Sequence, residues 1–140
     1  MKQTPFKKVG VSTAPMYGPR AVLICGYAAT EQPALLEVFD AIKAPLIFAT
    51  RDDGATTLRD LLARPDQPGQ GGDFAGLARA IVLSGITEAE LHRILAAYRE
   101  SGLPRPLWAT LTPTSENWPL SDLLAELNAE RRAMESQKQS

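Results

Sequence analysis

The chain holds a single cysteine and a single histidine. One cysteine cannot close an internal disulfide, and the two residues together cannot build a typical closed zinc site. Neither a metal centre nor a cofactor is expected from the residues. An excess of one charge is also missing, since 15 Lys+Arg stand against 16 Asp+Glu for a formal net charge of −1. With no basic surplus to neutralise phosphates, nucleic acid is not an expected partner. Long apolar runs are lacking as well. Ala21-Val-Leu-Ile-Cys25 falls far short of the about 20 residues a bilayer-spanning helix needs, so no membrane partner is expected. The segment Met1–Lys8 is basic, but Val9–Pro19 is broken by Gly10, Ser12, Pro15 and Gly18. No signal peptide is expected there, and the cytoplasm is the default compartment. Lys2, Lys7 and Lys8 read as a solvated tail. Neither a G-x-S-x-G elbow nor a Walker-type phosphate loop occurs.

What is present is an ordinary globular composition, with 44% hydrophobic and 22% charged residues over 140 positions. A chain of this length forms one domain and buries roughly two-thirds of its unfolded surface, enough for a core without staples. Arg20-Ala-Val-Leu-Ile-Cys-Gly26 reads as a strand buried on both faces. Thr30 is placed to cap a helix, with Pro33 in its first turn and Leu35, Leu36, Val38, Phe39 and Ile42 as its apolar stripe. Pro45–Thr50 follows as a strand and Thr57–Ala63 as a short helix. Pro65–Gly76 is rich in Pro, Gly, Gln and Asp and reads as a loop. The same grammar then returns. Arg79-Ala-Ile-Val-Leu-Ser-Gly85 is a strand, and Thr87-Glu-Ala-Glu90 is a capping box opening a helix with Leu91, Ile94, Leu95 and Tyr98 on one face. Gly102 and Pro104 end that helix. Leu107–Thr112 is a fourth strand. The last helix starts near Pro119, with Asn117 as its cap and Leu120, Leu123, Leu124 and Leu127 as its stripe.

Three blocks repeat in order. Arg20–Gly26 aligns with Arg79–Gly85 at an offset of 59, Phe48-Ala-Thr50 with Trp108-Ala-Thr110 at 60, and Leu58–Ala63 with Leu120–Ala125 at 62. The expected fold is therefore α/β: a four-stranded, mostly parallel sheet with helices on both faces, built from two β-α-β-α repeats. Right-handed crossovers throughout give strand order 2-1-3-4; an antiparallel junction between the halves is the alternative. The domain spans 20–127, with half-repeats 20–64 and 79–127 and a linker 65–78. It is flanked by an irregular segment 1–19 and a polar tail 128–140, where the apolar stripe stops and the chain is either a fraying helix end or disordered.

The stretch Thr112-Pro-Thr-Ser-Glu-Asn-Trp-Pro-Leu-Ser-Asp-Leu-Leu-Ala-Glu-Leu127 fits the pattern T-x-T-x-x-N-W-x-L-x-x-L-L-x-E-L. In this it resembles a family of small prokaryotic proteins catalogued as domain of unknown function 3783. The likeness extends more loosely back through Arg79–Gly85 and the helix at Thr87, and so covers the second half. It implies no activity and carries over no catalytic residue.

In an open parallel sheet, ligands bind outside the carboxyl ends of the strands where the strand order reverses. That rule puts Gly26, Tyr27, Thr30 and Arg51 on a common rim with Gly85, Thr87, Thr112 and Asn117, and free helix amino ends there suit a small anion. No catalytic residue is assigned. The expected function is a non-catalytic module that binds a small anionic ligand or a protein partner, with a homo-oligomer left open. The alternative is a small enzyme on the same edge using Asp52, Asp53, Cys25 or His92.

Overall fold

A computed structural model of the protein describes residues 14–65 and 78–139, the last three of these for backbone alone. The lysines of the amino-terminal segment and all but the first residue of the Pro65–Gly76 loop lie outside the described residues. In chain order come β1 (Ala21–Cys25), a 3-10 turn (Ala29–Glu31), α1 (Gln32–Phe39), β2 (Leu46–Phe48), a second 3-10 turn (Arg51–Asp53) and α2 (Leu58–Leu62). The second half follows as β3 (Ala80–Ser84), α3 (Glu88–Ser101), β4 (Leu107–Thr110), a third 3-10 turn (Ser115–Asn117) and α4 (Leu120–Gln139).

The strands stand in the order β2-β1-β3-β4, as the sequence suggested. Their directions differ from the expectation. β1 with β2 and β3 with β4 are parallel, but β1 and β3 run antiparallel, from Ala21 opposite Ser84 to Cys25 opposite Ala80. The sheet is mixed rather than mostly parallel. Each parallel pair is joined through a helix, α1 or α3, which carries the chain back across the sheet. α2 has five residues, about 7.5 Å of helix, too short to cross a strand, and β3 begins at the edge where β1 and β2 end.

All four strands are apolar, and the pleat sends alternate residues to opposite faces. Val22, Ile24, Leu46, Phe48, Ile81 and Leu83 face α1 and α3, where Leu35, Val38, Phe39, Ile94 and Tyr98 complete one core. Ala21, Leu23, Cys25, Ile47, Ala80 and Val82 face α2 and α4, packed under Leu58, Leu61, Leu62, Leu120, Leu123 and Leu124. Helices thus cover both faces.

Two local expectations change and one alternative is decided. Thr30 does not cap α1: it lies exposed within the first 3-10 turn, whose cap position is Ala28, and the Ala28 backbone N–H donates to Glu31 Oε1 at 2.7 Å. Asn117 does not cap the last helix, because the Pro119 carbonyl accepts its first bonds, from Asp122 and Leu123. Of the two readings of the stretch after Leu127, the helical one holds, and the helix runs to Gln139. Residues 128–136 are rich in strong helix formers (Ala129-Glu-Arg-Arg-Ala-Met-Glu135) and need no apolar stripe to stay helical once the first two turns are anchored. Among the described residues, no helix is long and apolar enough to cross a membrane.

Candidate functional site

The antiparallel seam separates the two groups of residues expected to share a rim. β1 and β2 deliver Gly26, Tyr27, Thr30 and Arg51 to one end of the sheet, and β3 and β4 deliver Gly85, Thr87, Thr112 and Asn117 to the other. The common crevice does not form.

Within each group the residues have local structural work. Gly26 has φ +81°, and a Cβ there would sit 2.6 Å from the Ala78 carbonyl oxygen. Gly85 has φ +65°, and its Cβ would meet the Gly18 carbonyl oxygen at the same distance. Both are strand ends pressed onto the backbone that leads into the adjacent strand, a position only glycine fills without strain. Tyr27 is 1% exposed. Its hydroxyl is 2.5 Å from that of Tyr98, which donates to the Pro104 carbonyl. Burial, reinforced by the Tyr98 bond, pushes the Tyr27 phenol above its ordinary range. Arg79 lies over the Tyr27 ring, 4.7 Å from its centroid. Thr87 caps α3, its Oγ1 accepting from Glu90 N–H at 3.1 Å while Glu90 accepts from Thr87 N–H at 2.9 Å. Thr112 exchanges bonds with Ser115 and closes the turn after β4. Thr30, Arg51 and Asn117 are exposed.

Of the candidate nucleophiles and bases, Cys25 and Asp53 lie near one another, but both are buried. Cys25 is fully buried under α2 and α4, and burial, with the Asp53 charge adding to it, pushes its thiol up to about 12. Such a group stays protonated and is a poor nucleophile. Asp53 is buried but engaged, accepting from Thr50 N–H at 2.8 Å and pairing with Arg64 at 2.9 Å. Burial pushes its carboxyl up, but the Arg64 and Thr50 bonds outweigh that and hold it below the usual carboxylate range. Asp52 is exposed, and His92 stands exposed on α3 in the other half. No group of three or more His, Cys, Asp or Glu able to hold a metal occurs among the described residues.

A different feature has the dimensions of a ligand site. Where α4 overruns the sheet, it forms a cleft of about 510 Å³ against the amino ends of β3 and β4. Ala78, Arg79, Arg105, Pro106 and Leu107 line one wall, and Asn128, Arg131, Met134 and Glu135 the other. The α4 residues sit at spacings of three, three and one, which places them on one helix face. Arg79 spends one nitrogen on Glu31, at 3.1 Å. Arg105 and Arg131 have no ion-pair partner among the described residues. Met134 is 61% exposed, the most open large apolar side chain among the described residues. Sequence reasoning missed this cleft because it left 128–140 as a fraying helix end or a disordered tail and gave it no wall to form. The available signal was the run of helix formers after Leu127, which carries Arg131 back over the strand starts.

No curated protein and no solved structure matches the chain. The resemblance read from Thr112–Leu127 does hold: residues 79–134, from the first residue before β3 to Met134 in the cleft, match the family described as Domain of unknown function (DUF3783).

Proposed function

We propose that the protein is a non-catalytic cytoplasmic module that binds a small anionic ligand in the cleft between α4 and the amino ends of β3 and β4. The observation that carries this reading is the convergence of Arg79, Arg105 and Arg131 on one concave space of about 510 Å³. That volume falls within the roughly 300–1,000 Å³ usual for small-molecule sites. Guanidinium groups present fixed forks of donors suited to phosphate and carboxylate oxygens. Two of the three have no competing carboxylate bonded to them among the described residues. Glu135 on the same wall and Glu31 behind Arg79 limit the net positive charge, which favours a small anion over a polyanion. Ala78, Pro106, Leu107 and Met134 add an apolar strip that a carbon skeleton would cover. The scattering of Cys25, Asp52 and His92 supports binding without catalysis.

The test is a thermal-denaturation titration with pyrophosphate, inorganic phosphate and citrate, at constant ionic strength. At least one of the three raises the midpoint in the native sequence, and the rise is lost in Arg105→Ala and Arg131→Ala. Both positions are exposed, so the substitutions leave the unliganded midpoint nearly unchanged. No rise with any of the three at millimolar concentration, or an equal rise in the arginine variants, overturns the reading.

A further inference from the structure

We propose that residues 20–65 are a second, diverged copy of the domain matched at 79–134, and that the antiparallel β1–β3 seam is that domain's pairing surface. The partner that fits this surface is another copy of the same domain, and here two copies are fused in one chain. The inference is independent of the anion cleft, which involves the second half alone apart from Glu31 behind Arg79.

The decisive feature is the seam. At the offset of 59 that aligns Arg20 with Arg79, the counterpart of Leu23 is Val82, and in the register Leu23 stands directly opposite Val82. Counterparts face one another only where a twofold axis passes, and such an axis makes every contact across it reciprocal. A set of contacts at both ends of the seam is reciprocal in this way, although others, such as Tyr27 with Tyr98, belong to one side alone. Gly26 presses on Ala78 and Arg79, while its counterpart Gly85 presses on Pro19 and Arg20. Arg20 binds Glu90 through both guanidinium Nη atoms, and Arg79 binds Glu31, which is the counterpart of Glu90 at the same offset. Each arginine before a strand thus grips the glutamate at the start of the other half's helix.

Beyond the first helix the offset becomes 62. α1 ends at Phe39 and α3 at Ser101, so the three-residue change falls within or just before the helix end. From there the reciprocity resumes. Leu58 N–H donates to the Trp118 carbonyl at 3.0 Å, and Leu120 N–H to the Thr56 carbonyl at 2.9 Å. Thr57 bridges its own counterpart, Pro119. The turn after β2 is closed between Thr50 and Asp53, and the one after β4 between their counterparts Thr112 and Ser115. The ladder also re-registers one match read from sequence: Phe48 pairs with Ile24 and Thr110 with Leu83, so the counterpart of Phe48 is Thr110 rather than Trp108.

The matched stretch alone is a two-stranded sheet with two helices. Its strand β3 is completely buried on this seam. Removing the other half would leave a five-residue apolar strand edge unpaired, an arrangement that pairs with another strand or aggregates. Another copy, presenting its own Arg79 and Glu90 in reverse, satisfies that edge.

The experiment places a protease site within residues 66–77 of the full chain, cuts it, unfolds and refolds the mixture, and reads the assemblies by native mass spectrometry. The expected species are the one-to-one pair of halves and, beside it, a pair of two second halves. In the latter, Arg79 of each copy meets Glu90 of the other. Glu90→Arg then lowers the second-half pair at least tenfold, because both of its crossed contacts become repulsive. The one-to-one pair keeps its Arg79–Glu31 contact and persists. Absence of the second-half pair, or its indifference to Glu90→Arg, overturns the proposal. Should the cut halves not refold, the intact chain decides by charge exchange. Arg20→Glu is rescued by Glu90→Arg and not by Glu31→Arg, and Arg79→Glu is rescued by Glu31→Arg and not by Glu90→Arg. Rescue along one pair only, or along neither, overturns the proposal.

Discussion

The two halves of the sheet share a frame and part company at their last helix. α2 has five residues and stops beneath the sheet, whereas α4, entering from the same kind of turn, has 20 and continues beyond it. Both supply leucines to one core: Leu58, Leu61 and Leu62 from one, Leu120, Leu123 and Leu124 from the other. The longer helix goes on to build the second wall of a cleft that Arg79, Arg105 and Arg131 line. The proposed site thus takes one wall from the shared frame and the other from the unshared helix extension. Strand edges divide the same way. β2 is wholly buried, while β4 is half-exposed along Leu107–Ala109 and open at Thr110, where the first half has Phe48.

The most severe way to break this comparison is at the glycine corners. A methyl group at Gly26 or Gly85 meets backbone at 2.6 Å, and each residue sits at positive φ. Gly26→Ala and Gly85→Ala are each expected to cost about 3 kcal/mol or more, combining left-handed strain with displacement of a neighbouring strand start. Gly102 supplies the control. It has φ +78° but nothing within 4 Å of the point a Cβ would occupy, so Gly102→Ala is expected to cost only about 1 kcal/mol. Urea unfolding of the three variants measures this. If either corner behaves like Gly102, the close packing of the two halves at that end is wrong.

A smaller effect sharpens the contrast between the two crossed ion pairs. Arg20 holds Glu90 with two bonds, one of them 2.8 Å from Nη1, whereas Arg79 holds Glu31 with one at 3.1 Å. The Arg20 bonds bring the Glu90 carboxyl down to about 2, helped by the Thr87 backbone. A carboxyl depressed on folding adds stability that is complete above its unfolded value of about 4.3 and disappears as pH falls toward the folded value. Stability should therefore drop between about pH 4.3 and 2, and part of that drop should vanish in Glu90→Gln. At neutral pH, Glu90→Gln is expected to cost about 1 kcal/mol, since glutamine preserves the capping bond while the charge pair is lost. Glu31→Gln should cost less. Equal costs, or an unchanged acid limb in Glu90→Gln, would remove the asymmetry.

Much of this architecture was legible in the residues, and what was not has identifiable physical causes. Short apolar strands closed by glycine, the Thr87–Glu90 capping box and Gly102 after α3 are local signals, and each marks the element it suggests. Strand order agrees with the expectation, although the crossover between the halves that the expectation assumed is absent. Direction at the seam does not, because a strand buried on both faces reads alike whichever way its neighbour runs. That single ambiguity moved Gly85, Thr87, Thr112 and Asn117 to the far end from Gly26, Tyr27, Thr30 and Arg51. The paired spacing Arg20…Gly26…Glu31 and Arg79…Gly85…Glu90 held the missing information. An arginine before each strand and a glutamate at each helix start satisfy one another only when the strands are antiparallel. The cleft was hidden for another reason: it depends on a helix continuing where hydrophobic periodicity ends.

The subtlest comparison concerns one buried amide. Gln32 opens α1 at 5% exposure, and its Nε2 has no hydrogen-bond partner among the described residues. Its counterpart at the 59-residue offset is Leu91, which packs partly buried against the core shared by α1 and α3. A buried donor left without an acceptor carries a desolvation cost of about 1–3 kcal/mol, and an apolar side chain of similar size removes it. Some of that gain is offset by imperfect fit, so Gln32→Leu is expected to raise stability by about 1 kcal/mol. Chemical denaturation reads the change as a higher midpoint with an unaltered slope. A lower midpoint would mean that the amide is used, either for folding or for a ligand.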